Sequence, residues 1–182
     1  VIAFEMSPSG ASYSVARNET FIQGLLNTDM EFGYDGRVYV SDFTGSWNTY
    51  DLGAIYVFEN PDELAKPVIS EVRKIFAKGF DTLSPKELTT LLGHSDLRVR
   101  QRAQFALARS VENRQHLIAA TSPENPLFTR LHGVWGLGQL ARLHQDPQSE
   151  QTLAKLTTDA HWRIRGQAAQ ALGIQVRRRT HR

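Results

Sequence analysis

Three carboxylates, one imidazole and two aromatic side chains are the groups in this chain whose chemistry could go beyond packing. Asp29 and Asp42 stand on either side of Tyr34-Asp35-Gly36, with Asp35 between them. A carboxylate at a strand end can act as a general base or as a ligand for a cofactor or Ca²⁺. It can equally hold a loop by accepting backbone N–H bonds, and Asp before Gly is first of all a turn residue. We read Asp35 as a turn residue. Asp29 and Asp42 are the candidate catalytic residues, with loop capping as the competing role. Trp47 and Tyr50 sit in a polar loop, where they could stack on a sugar or pack at a domain junction. Trp47 is thus a candidate cofactor contact, as is His132, which could be an axial haem ligand or a proton carrier. His94, His116, His144, His161 and His181 show no His-x-x-x-His spacing, so no metal site is expected.

The elements that must position these groups change character along the chain. Val1–Met6 alternates apolar and polar residues, Pro8-Ser9-Gly10 reads as a turn, and Ser12–Ala16 resumes the alternation. Phe21–Leu26 is an apolar run of undecided type. Met30-Glu31-Phe32, Gly33-Tyr34-Asp35-Gly36 and Arg37–Asp42 predict strand, turn and strand, because Asp-Gly supplies the positive φ of a tight hairpin. Ala54–Phe58 predicts another strand, and Asn60-Pro61 closes the β region.

From Pro61 the period becomes helical. Val68, Val72, Ile75 and Phe76 form a stripe on a helix that stops at Gly79. Ser84-Pro85-Lys86-Glu87 is close to a capping box. Arg98-Val99-Arg100, Arg130-Leu131-His132 and Arg163-Ile164-Arg165 then recur at separations of 32 and 33 residues. Ala103, Ala106 and Leu107 follow the first copy, and Ala168, Ala171 and Leu172 follow the third. The middle copy has Trp135 and Gly138, and Gln139 where Leu is expected. Its helix carries three glycines, yet is apolar on two faces, which predicts burial between neighbours. Asp96, Asn125 with Pro126, and Asp159 are the expected caps. Shorter helices are expected near Val111–Ala120 and Pro147–Thr157. Paired helices at this period predict an α-solenoid. His132 aligns with Arg100 and Arg165, which favours a polar repeat position over a haem or proton role.

The totals exclude several classes. The chain has 182 residues, a net charge of +2 and no cysteine, so disulfides, thiolate metal sites and Cys-x-x-Cys-His haem attachment lie outside it. No run approaches the roughly 18 apolar residues of a membrane span. Arg98, Arg100, Arg102, Arg163 and Arg165 could form a basic stripe, but acids nearly balance bases, so no nucleic-acid partner is expected. The Arg177-Arg178-Arg179 run is read as part of a solvated basic tail. The opening Val1-Ile2-Ala3, strand-like and without an initiator Met, leads us to expect a piece of a longer protein.

Two resemblances carry the reading further. Asp96–Ala108 and Asp159–Gly173 resemble short bacterial HEAT repeats. Pro8–Tyr13, Thr28–Phe43 and Gly53–Tyr56 look like the last part of a β-propeller. That order is similar to the large membrane-bound dehydrogenase-type proteins of planctomycetes and verrucomicrobia, which join a propeller resembling glucose/sorbosone dehydrogenases to HEAT repeats. The resemblance implies an α+β chain: a short antiparallel β region ending a β-propeller at 1–60, a linking helix at 61–83, a HEAT-like α-solenoid at 84–175 and a basic tail at 176–182. It implies an extracytoplasmic, periplasmic setting and a parent that oxidises sugars or alcohols, holds PQQ and passes electrons to a c-type haem. No cofactor is expected within this chain, which would be inactive alone. Its expected partner is the remainder of the propeller or another protein domain. In such propellers, residues placed like Asp29 and Asp42 line the central pocket. The alternative reading is a non-enzymatic HEAT-repeat interaction module.

Overall fold

The computed structural model describes residues 1–10, 12–44 and 52–179, with side chains as far as 173. Over these residues it is mixed α and β, with small antiparallel sheets and eight α-helices, 51% helical. It divides into two compact units, Val1–Ser70 and Glu71–Arg182.

In the first unit, β1 (Ile2–Ser9) and β2 (Ser12–Thr20) form an antiparallel hairpin, with Gly10 at φ +60° between them and a bulge at Glu5/Met6. β2 is longer than its alternation suggests, because pairing with β1 continues to Ile2 opposite Thr20. β3 (Asn27–Phe32), β4 (Val38–Asp42) and β5 (Ala54–Phe58) form a meander with β4 in the centre. The Asp-Gly turn forms where it is expected: Gly36 takes φ +85° and its N–H donates to Gly33 O at 3.0 Å. Phe21–Leu26 joins neither sheet; Ile22 instead packs with Val38 and Val40.

The first unit extends past the expected end of the β region at residue 60. Helices α1 (Pro61–Leu64) and α2 (Pro67–Lys78) follow, and the division falls inside α2. The reason is packing: a Cβ at Gly36 would stand 2.9 Å from Leu64 Cδ2 and 3.0 Å from Ile69 Cδ1. The hairpin tip is therefore covered by α1 and the first turn of α2.

The second unit continues with α3 (Pro85–Leu91), α4 (Leu97–Leu107), a 3₁₀ turn (Val111–Asn113), α5 (Arg114–Ala120), α6 (Leu127–His144), α7 (Pro147–Leu156) and α8 (Trp162–Arg179). The capping box forms, with Ser84 N–H donating to Glu87 Oε2 at 2.7 Å and Glu87 N–H to Ser84 Oγ at 3.3 Å. Asp96 caps α4 as expected, accepting from Arg98 N at 2.8 Å. The other two expected caps differ. Asn125 serves the preceding helix instead, donating to Ala119 O at 2.8 Å, and Pro126 occupies the cap of α6. Asp159 lies two residues ahead of the position that precedes α8; it accepts from His161 N, and His161 Nδ1 then accepts from Arg163 N. Helical backbone also continues to Arg179, into the segment read as a tail.

Helix α6 is the hub. It packs against α4, α5, α7 and α8, and Leu131, Val134, Leu137 and Leu140 are all buried. Its glycines allow this crowding. A Cβ at Gly133 would lie 3.0 Å from the Leu117 carbonyl oxygen, one at Gly136 would lie 2.5 Å from Leu117 Cδ2, and one at Gly138 would lie 3.2 Å from Ala171 Cβ.

Candidate functional site

The carboxylates of the β unit do not converge. Asp29 pairs with Ser41 across the ladder, whereas Asp42 lies on the face of Val38 and Val40. Side chains alternate along a strand, so residues paired with 41 and residue 42 itself belong to opposite faces. Asp29 is exposed and accepts from its own neighbour, Met30 N, at 2.8 Å. Asp42 is buried, and its Oδ1 has no hydrogen-bond partner. A joint acid–base pair or shared Ca²⁺ site is excluded by that geometry. Asp35 is a turn residue with a full set of donors: Arg37 N at 3.2 Å, Arg37 Nη1 at 3.1 Å and Tyr39 Oη at 2.9 Å. Burial opposes its ionisation, but those donors outweigh burial and hold its carboxyl below the usual range. Trp47 and Tyr50 lie outside the described residues.

The polar groups that do converge lie across α4, α6 and α8. Arg100 is 6% exposed and donates from Nη1 to His94 O at 2.6 Å and Ser95 O at 2.8 Å, satisfying carbonyls ahead of its own helix. Arg165 does the same for Asp159 O and Ala160 O, both at 2.9 Å. Arg130 takes a different route, with Nε to Thr121 O at 3.0 Å and Nη2 to Asp159 Oδ2 at 2.6 Å. These three arginines brace the fold, and two of them, Arg100 and Arg165, belong to the set read in the sequence as a possible basic stripe.

From Arg100 a directional chain begins. Its Nε donates to His132 Nε2 at 3.3 Å. Guanidinium can only donate, so Nε2 is the bare nitrogen and the ring proton sits on Nδ1. That proton goes to Gln104 Oε1 at 2.7 Å, and Gln104 Nε2 donates to Gln139 Oε1 at 3.1 Å. Burial first, then the Arg100 charge, pushes the His132 pKa down to about 4, so the ring is neutral at neutral pH. Both its nitrogens are taken, and the Trp135 ring stands edge-on at 4.9 Å. His132 therefore has no nitrogen left for a haem iron and cannot cycle a proton without breaking this chain.

A second root lies one helix further on. Trp135 Nε1 donates to Gln167 Oε1 at 2.7 Å. Gln104, Trp135, Gln139, Arg142, Gln167 and Gln170 line an open groove of about 240 Å³. Of its glutamines only Gln139 was marked in the sequence, as a break in the repeat and not as a site. The available signal was Gln139, which breaks the repeat's Leu rule because it reaches Gln104 instead of the core.

Among the described residues no group of three His, Asp or Glu is placed to hold a metal ion, and the groove is smaller than the roughly 300–1,000 Å³ of most ligand clefts. The described helices include none long and apolar enough to cross a membrane. No protein-family model, curated protein or solved structure matches the chain.

Proposed function

We propose that this chain is a docking scaffold, its second unit a short HEAT-type α-solenoid and its first the terminal piece of a β-propeller. The observation that carries the reading is a set of polar links between successive helical layers at near-repeat separations. Arg114 meets Asp146 at 2.8 Å across 32 residues, Arg130 meets Asp159 at 2.6 Å across 29, and Trp135 meets Gln167 at 2.7 Å across 32. Asp146 is buried and also accepts from the Ser149 amide and hydroxyl. Burial raises its pKa, but the Ser149 and Arg114 donors prevail and keep it low. Links of this kind fix one layer on the next, as stacked repeats require.

Exposed apolar side chains on the strands, among them Ile2, Phe4, Met6 and Ile55, support the propeller part of the reading. Blades bury such faces against their neighbours. In this proposal the parent is an extracytoplasmic dehydrogenase-type protein that oxidises sugars or alcohols and passes electrons to haem, and the present chain braces and docks. A dye-linked dehydrogenase assay over a panel of sugars tests it. The 182-residue chain is expected to give no turnover, and robust turnover would overturn the scaffold role. Propeller blades encoded upstream and Cys-x-x-Cys-His downstream are expected for the dehydrogenase parent. Coding sequence lacking both favours the second reading, a non-enzymatic interaction module, which the open polar groove also supports.

A further inference from the structure

We infer that the groove across α4, α6 and α8 is a binding site for an extended acidic peptide segment, with the peptide's carboxylate at Arg142. The inference names the chemistry of the docking face and rests on the docking reading.

The orientation of the amides carries it. The roots of both hydrogen-bond chains, the Arg100 guanidinium and the Trp135 indole, are groups that can only donate. Each therefore forces the next group to accept. From Arg100 the order runs through His132 and Gln104 to Gln139, which accepts at Oε1 and is left with its NH₂. From Trp135 it runs to Gln167, which likewise accepts at Oε1 and keeps its NH₂. Amide oxygen and nitrogen are otherwise hard to tell apart; here the donor-only roots decide. Gln139 and Gln167 are half-buried at the groove and offer N–H donors. Arg142 adds a half-buried guanidinium, and among the described residues no acidic one lines the groove. The wall is rich in donors, so its ligand is rich in acceptors: backbone carbonyls along the strip and a carboxylate at its charged end.

Dimensions favour a peptide over a cofactor. Adjacent helix axes lie roughly 8–10 Å apart, so three helices span roughly 16–20 Å. That matches five or six extended residues at about 3.3 Å each. A groove of about 240 Å³ takes side chains one at a time.

The test uses the full chain and three probes: acetylated, amidated Ser-Gly-Glu-Glu-Gly-Ser, its counterpart with both Glu replaced by Gln, and free glutarate. Binding is read from the Trp135 indole N–H resonance, assigned with Trp135→Phe. The Glu peptide is expected to bind roughly tenfold more tightly than the Gln peptide and than glutarate, the range of one charge-assisted hydrogen bond. Arg142→Gln removes the charge. Gln167→Glu keeps the acceptor for Trp135 but turns the outward donor into an acceptor. Each is expected to weaken the Glu peptide about tenfold or more with thermal melting unchanged. Equal binding of the two peptides, binding of neither, or an unaffected Arg142→Gln overturns the site, while the assay for turnover judges the scaffold reading separately. Glutarate bound as tightly as the peptide makes this a free-acid site and overturns the peptide assignment.

Discussion

The two units of this chain solve the same problem with unequal means. The helical unit gathers a core of sixteen buried residues around α6, from Leu88 to Ala168. Among the described residues the β unit gathers three, Ile22, Val38 and Val40. Hydrogen bonding is not what separates them, because both sheets pair their strands in antiparallel ladders with a single bulge each. Burial is. On β4, Val38, Val40 and Asp42 turn inward, while Ile55 and Val57 on β5 and Phe4 and Met6 on β1 face solvent. Since burial of apolar area is the dominant favourable term in folding, the helical unit is expected to hold its own structure, and the β unit to be the weaker part. The predictions follow from that inequality.

The largest effect is expected where the strong unit has no slack. A Cβ at Gly136 would meet Leu117 Cδ2 at 2.5 Å, and Leu117 is fully buried, so its side chain has no open space to swing into. Gly136→Leu is expected to destabilise the helical unit by about 3 kcal/mol or more through overpacking. Urea unfolding followed by far-ultraviolet circular dichroism reads it, and an unchanged midpoint would remove α6 from the centre of the unit.

What was legible in the sequence follows the same division between local and distant causes. The Asp35-Gly36 turn, the stop at Gly79, the Ser84 box and the Asp96 cap were readable because each is decided within four residues. Asn125 and Asp159 misled because each has the right type near a helix start but is claimed elsewhere: by the Ala119 carbonyl in one case and by Arg130 in the other. Gln139 looked like a fault in a repeat. Its role needs α4 beside α6, and no spacing within one helix reports that. Asp29 and Asp42 were each candidates on residue type alone; that the pairing of Asp29 with Ser41 puts them on opposite faces is a matter of register.

A middle-sized effect should come from pH. The His132 pKa falls from 6.5 to about 4 on folding, so the unfolded chain binds the proton more readily than the folded one between those values. Stability is therefore full above about pH 6.5, is lost as pH falls towards 4, and changes no further below that. Between pH 7 and pH 5 the loss is on the order of 2 kcal/mol from this group alone. The comparison is with His132→Gln, which is expected to flatten that part of the profile. Parallel profiles for the two proteins would mean that His132 is not held neutral by burial and Arg100.

The smallest effect is the most informative about the weak unit. Ile55 is 73% exposed on β5. Exposed substitutions away from caps and cores usually change stability by no more than about 0.5 kcal/mol. Ile55→Thr keeps a β-branched side chain, so strand preference is conserved and only apolar surface is removed. A change within about 0.5 kcal/mol is expected for the chain at micromolar concentration, read from urea unfolding monitored through the aromatic signals of the sheet. A loss of 2 kcal/mol or more would mean that the face of β5 is covered in solution, and the contrast between a self-sufficient helical unit and an uncovered β unit would fail. Should that loss grow with protein concentration, mass action would identify the cover as a second copy of the chain.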